Sequence, residues 1–542
     1  MLLKVVPVFF LTVVLFSCRE RHTRPGPSGF ADVSFADELS TVMPAPDTVC
    51  VKPGANLTEQ DVRLAYATDD HQPIWVRENY SSNKAAATLI AELEEMQWDG
   101  APAHIYDMAD IKLLREKLDT TKKNSVKDAI RFDTMLTRRY LAAAKFLLFG
   151  ELLPRRADSL WYHANDSEWS APQLLATSEG GYPALDEYYR SEWPTYRLLR
   201  KAYKHYYELS TDSNYLNAVF NMQPGQNDSV MHTSMHYIIE KELPWLQIVP
   251  NDTISDEKQR IMAYQNYLSL RVTGKADSAT IAGLGTTPEV YMKRLRANME
   301  RIRWMRRKVA DTFIIVNVPL MELFFRRNGE EIMHKRVVVG RPARQTPSLQ
   351  ANMANVVINP PWGVPPTILK NDVLPGIQKS GDKYLAKKGL KVYDNKGKAV
   401  NVATINAKNY RRYNYKQAPG HDNSLGYVKF NMPNKWDIYL HDTPHREDFA
   451  KRDRALSSGC VRVHKPMELA ELILSGFENK KQYTQGKLDS LSMTHKTRWE
   501  TLKNKIPVCI TYLTAFEDST STHIRFARDI YQRDAKLIAM MK

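Results

Sequence analysis

The sequence predicts a multidomain α+β protein, helical through its first half and β-rich in its second. Three observations carry this. At 542 residues the chain is longer than one core fills, which points to about three domains. Leu136, Tyr140, Ala143 and Leu147 recur at the four-three-four spacing of an amphipathic helix, with Gly150 where such a helix would end. From Asp311 onward the period changes: residues 313–318 and 321–325 are β-type apolar runs, and Asn328-Gly329 is a hairpin turn leading to Val337-Val338-Val339.

Residues 1–18 join a short start containing Lys4 to an apolar run over 5–16 and the ending Leu15-Phe16-Ser17-Cys18. This reads as an export signal, because the run is too short to span the roughly 30 Å of hydrocarbon in a bilayer. The ending resembles a bacterial lipoprotein processing box, which implies lipidation of Cys18 and a periplasmic protein tethered to a membrane. Residues 19–48, rich in Pro, Ser and charge, predict a flexible tether. Residues 50–230 predict a helical domain whose core is anchored by Trp75, Trp98, Trp161 and Trp169.

Residues 235–288 carry Tyr264-Gln265, Leu270, Gly274, Thr280 and Leu284 at a spacing that resembles the small three-helix peptidoglycan-binding-like module. Ser269, Thr273 and Asp277 stand where that module's turns carry glycine, aspartate and glycine, so a structural role is expected. Over 290–309, Leu295, Met299, Ile302 and Met305 form one face of a helix whose other face is basic, from Arg294 to Lys308. It reads as a solvated linker helix docking on the next domain. Residues 310–516 are the β-rich domain, interrupted by a Lys- and Tyr-rich insertion over about 367–418, and 517–542 predict a helical tail. Cys509, inside Val508-Cys509-Ile510, reads as a buried free thiol.

The chemistry concentrates at Cys460. A thiol attacks a carbonyl as its thiolate, which needs a base or an electropositive setting. His441, nineteen residues upstream (460 minus 441), is the candidate base. It ends a strand, a polar stretch follows, and a second β-rich run begins after Cys460, so the two side chains meet if the strands are neighbours. Gly459 permits a sharp turn, after which the amides of Gly459 and Cys460 are candidate oxyanion donors. Taken alone, a Cys and a His this far apart also fit a buried hydrophobe and a coincidence.

The flanking residues resolve that choice. Ile438-Tyr439-Leu440-His441-Asp442-Thr443-Pro444 and Arg454-Ala455-Leu456-Ser457-Ser458-Gly459-Cys460-Val461-Arg462-Val463 resemble the catalytic motif of bacterial L,D-transpeptidases, in their long multidomain branch. The resemblance extends over residues 339–347, 359–368, 425–430 and 507–516, in order, and covers roughly 310–516. It implies that 50–230 is the branch's scaffold domain and that 367–418 is a mobile cap over the active site. It further implies that Cys460 attacks the bond between meso-diaminopimelate and terminal D-alanine of a tetrapeptide stem, and that a second diaminopimelate amine receives the acyl group in a 3→3 cross-link.

In that chemistry His441 takes the thiol proton and later deprotonates the amine. A backbone carbonyl is the expected partner of its second nitrogen, because the Asp442 side chain points the other way in an extended segment. Arg462 is placed either on a stem carboxylate or in a structural salt bridge. Tyr439, Ser458 and Trp362 are the remaining substrate-side candidates, Trp362 equally a core residue. No metal or cofactor is called for. An L,D-carboxypeptidase using the same Cys460 and His441, or a non-catalytic wall-binding lipoprotein, are the alternatives. A net charge of +15, dispersed and without a nucleic-acid module, suits an anionic wall or membrane surface better than nucleic acid.

Overall fold

The computed structural model describes residues 35–43, 57–67, 71–165, 167–177, 181–223, 226–246, 257–518 and 523–541. The expected export signal, Cys18, Cys50 and most of the expected tether lie outside them.

The N-terminal part is built on a 24-residue helix, Val126–Phe149, that buries Leu136, Tyr140, Ala143 and Leu147. Gly150 ends it with φ +76°, a backbone state that disfavours a side chain. Helix Phe35–Val42 packs on the same core through Phe35 and Leu39, followed by Met43 just past its end. That corrects the tether: these residues repeat an apolar side chain every fourth position, and the Pro-rich stretch before them hides the pattern. The segment 50–230 also contains a strand, β1 (Trp161–Tyr162), which adds in parallel to the main sheet of the β-rich domain.

Helices Asp228–Leu246, Glu257–Tyr267 and Ser278–Leu284 form the small module. Its missing turn residues are replaced by side-chain hydrogen bonds. Gln265 Oε1 accepts from the Thr273 and Gly274 amides at 2.7 and 3.0 Å, and Asp277 caps the last helix by accepting from Thr280 N at 2.9 Å.

The linker helix, Pro288–Arg303, is buried on both faces. Arg301 and Arg303 are 0% and 2% exposed. This corrects the solvated reading: Asp534 and Tyr196, far away in sequence, and Glu300 on the same helix meet the basic face. Arg301 Nη1 donates to Asp534 at 2.5 Å, and Arg303 donates to Glu300 at 2.8 Å and to the Tyr196 hydroxyl at 2.9 Å.

The β-rich domain runs through β2 (Thr312–Asn317), β3 (Glu322–Arg327), β4 (Glu330–Gly340), β5 (Ser348–Ile358) and β6 (Trp362–Gly363). It continues with β7 (Leu390–Tyr393), β8 (Asn414–Gln417), β9 (Val428–Asn431), β10 (Leu440–His441), β11 (Ala455–Ser457), β12 (Val461–Val463), β13 (Arg498–Thr511), β14 (Ala515–Glu517) and β15 (Ile524–Phe526). Asn328 and Gly329, both at positive φ, turn β3 into β4. The main sheet is ordered β5-β13-β2-β3-β4-β12-β10-β9, and β9 pairs back onto β5, so the sheet closes on itself.

The insertion forms a separate three-stranded sheet, β6-β8-β7, with helix Leu374–Lys387. It has its own apolar cluster, including Trp362, Leu369, Ile377, Leu385, Leu390 and Tyr415. Its hydrophobic residues, few as they are among the Lys and Tyr, converge on one core. The C-terminal segment, expected to be helical, is helical only in its last part. Strand β15 pairs with β14, and helix Arg533–Met540 docks through buried Arg533 and Asp534.

Candidate active site

Strand β10 lies between β12, which runs parallel to it, and β9, which runs antiparallel. Leu440 stands opposite Val461 and Phe430, while His441 stands opposite Arg462 and Lys429. One step back in register sets Tyr439 beside Cys460, and Val461 N donates to Tyr439 O at 3.2 Å. Alternate side chains share a face. Leu440, Val461 and Phe430 fill the core, so Lys429, Tyr439, His441, Cys460 and Arg462 collect on the other face.

The imidazole is oriented by backbone. His441 is buried, and its Nδ1 lies 2.5 Å from Asp442 O. A carbonyl only accepts, so Nδ1 carries the proton and Nε2 keeps its lone pair. Burial, with the neighbouring Arg462 and Lys429 cations, pushes the His441 pKa down to about 3. The Asp442 side chain turns away: Oδ2 accepts from Tyr427 N at 2.9 Å and from Arg446 at 3.2 Å.

Cys460 Sγ makes a long hydrogen bond of 3.5 Å to Asp437 O. Burial raises its thiol pKa, against the Tyr439 amide and hydroxyl and the Lys429 ammonium, which favour the thiolate. Tyr439 bridges the site, its ring 5.5 Å from that of His441 and 4.0 Å from Lys429 Nζ. Burial and the Cys460 thiolate raise the Tyr439 pKa, against a hydrogen bond with Trp362. Trp362 thus belongs to the insertion's apolar cluster and also meets Tyr439, which packs against that cluster.

One expected role changes, and one left open is filled. The Gly459 amide donates to Ser457 Oγ at 3.1 Å, so it is not an oxyanion donor. Gly459 serves the turn instead: its φ is +123°, and its carbonyl accepts from Thr346 Oγ1 at 2.8 Å. Of the two roles open to Arg462, the structure takes the salt bridge, with Asp448 Oδ2 at 3.1 Å. Ser458 is exposed, and its Oγ accepts from Arg344, which ion-pairs with Asp372 in the insertion.

Lys429 escaped the sequence reasoning. The signal was present, since Val428 and Phe430 flank it in β9 and strand periodicity turns it away from the core.

This geometry defines a thiol and imidazole on one face of a closed β-sheet. Residues 311–481 match the YkuD family, described as the L,D-transpeptidase catalytic domain, and residues 60–202 match the scaffold-domain family, so the chain carries both domains. A Haemophilus influenzae protein named "Putative L,D-transpeptidase" is 33% identical over 330 residues, covering 60% of this chain and 61% of that protein. The match thus spans less than two thirds of that relative's length. A solved structure titled "Structure of the Ldtfm-avibactam carbamoyl enzyme" aligns over 40% of this chain and 62% of its own, at 11% identity and TM-score 0.19, too distant to bear on the argument.

Proposed function

We propose that the protein is a cysteine-dependent peptidoglycan L,D-transpeptidase that forms 3→3 cross-links between diaminopimelate residues. The observation that carries this is the shared face of Cys460 and His441, with Nδ1 of His441 already committed to Asp442 O. His441 Nε2 is then the free base.

A raised thiol and a depressed imidazole make the resting pair neutral, so proton transfer accompanies attack. Cys460 Sγ leaves Asp437 O and adds to the carbonyl between diaminopimelate and terminal D-alanine, while its proton passes to His441. The tetrahedral intermediate collapses to a thioester as His441 protonates the departing D-alanine amine. The diaminopimelate amine of a second stem attacks the thioester, His441 removes its proton, and the thiol is restored. The Cys460 amide has no hydrogen-bond acceptor among the described residues and serves as oxyanion donor, beside the Lys429 ammonium. The export signal and Cys18 support a lipid-anchored, periplasmic location, tested by mass spectrometry of the mature N-terminus.

The deciding experiment incubates wild type and Cys460→Ala with tetrapeptide muropeptides. Wild type yields free D-alanine and 3→3 dimers, and the variant neither. Tripeptides without dimers would make water the acceptor, and equal products from both proteins would remove Cys460 from the chemistry.

A further inference from the structure

A cluster of donor side chains lies outside the active site, in the small three-helix module. His232 and His236 sit one turn apart on helix Asp228–Leu246, and Glu257 opens the helix Glu257–Tyr267. The spacing of four places both imidazoles on one helix face, with ring centroids 4.6 Å apart. Glu257 Oε1 lies 3.3 Å from His232 Nε2 and 3.7 Å from His236 Nε2. All three residues present one ligand atom within 4.8 Å of the others.

We propose that His232, His236 and Glu257 bind a divalent transition metal of the zinc class, clipping the two helices together. The distances argue for it. Metal–ligand bonds of about 2.0–2.1 Å in a tetrahedron place neighbouring ligand atoms roughly 3.3–3.4 Å apart. The two histidine–carboxylate edges, at 3.3 and 3.7 Å, are already near that value. A charged hydrogen bond would have drawn them to about 2.7–2.9 Å. The carboxylate oxygen instead stands off both rings.

Donor chemistry points the same way. Two imidazoles one turn apart plus a carboxylate suit Zn2+, Ni2+ or Cu2+, whereas Mg2+ and Ca2+ require oxygen ligands. The side chains are 58%, 36% and 46% exposed, so water completes the coordination and the ion exchanges freely. The bound ion would tie the first half of helix Asp228–Leu246 to the start of helix Glu257–Tyr267. The site takes no part in acyl transfer and does not depend on that reading.

The test titrates Zn2+ into the untagged full-length chain carrying Cys460→Ala and Cys50→Ser, which removes two thiols that could compete for the ion, by calorimetry and by thermal melting. One saturable site per chain and a raised Tm are expected. His232→Ala and Glu257→Gln, both at exposed positions, are expected to weaken binding at least about ten-fold and to abolish the Tm shift. Absence of saturable binding, or unchanged affinity in His232→Ala and His236→Ala, would overturn the site.

Discussion

The environment of His441 decides its protonation before any substrate arrives. Its pKa of about 3, against 6.5 for free imidazole, leaves it a base across the neutral range. Carbapenem acylation of Cys460, followed by mass spectrometry, is therefore expected to show no inflection near 6.5 from about pH 4 to about pH 8. Arg462→Met removes one cation facing the ring and is expected to move the acid limb upward. A wild-type limb centred at 6.5, unmoved by that substitution, would contradict this account. At this scale the sequence displayed Cys460 and His441, because strand–loop–strand order brings them together and their neighbours carry a recognisable pattern. It did not display where the Gly459 amide points. That amide is claimed by Ser457 Oγ, and a hydrogen bond spanning two residues follows from the turn's dihedrals, which composition does not specify.

Among elements, helix Pro288–Arg303 joins the domains through one carboxylate. Glu300 Oε1 accepts from the Glu151 and Leu152 amides, each at 2.7 Å, and from Trp304 Nε1 at 3.0 Å, while Oε2 meets Arg303. Glu300→Ala leaves Arg303 buried without its counter-charge and is expected to cost about 3–5 kcal/mol, read as a lowered urea midpoint. The helix was legible from its periodicity, but its buried basic face was not, since Asp534 arrives from 233 residues away. Helix Asp228–Leu246 holds a second buried carboxyl, Glu242, bonded by the Tyr206 and Tyr215 hydroxyls and pushed up to about 7 by burial. Its folded pKa exceeds the ordinary 4.5, so its stabilising contribution is complete below 4.5 and is lost as pH rises through 7. Glu242→Gln is expected to flatten the fall in Tm across that window. An identical Tm–pH slope in both proteins would count against it.

Across the whole molecule, the scaffold reaches the active-site loop. Strand β1 joins β5, and this carries Tyr162 onto Trp436, with ring centroids 4.1 Å apart and planes tilted by 37°. Trp436 sits in the turn held by Asn434, whose Oδ1 accepts from Trp436 N and Ile438 N at 3.1 and 3.2 Å. The next residue, Asp437, takes positive φ and offers its carbonyl to the Cys460 thiol. The aromatic contact therefore braces the backbone whose carbonyl accepts from the Cys460 thiol. Nothing in residues 50–230 announced it, because a two-residue strand has no detectable period and its partner lies in another domain. An aromatic pair of this kind is worth about 0.5–1.5 kcal/mol. Tyr162→Ala is expected to change the rate of Cys460 acylation by about two- to ten-fold, the same energy expressed as a rate. Tyr162→Phe keeps the ring and is expected to restore the wild-type rate. If Tyr162→Ala lowers only Tm and acylates at the wild-type rate, the contact is a domain joint with no hold on the nucleophile.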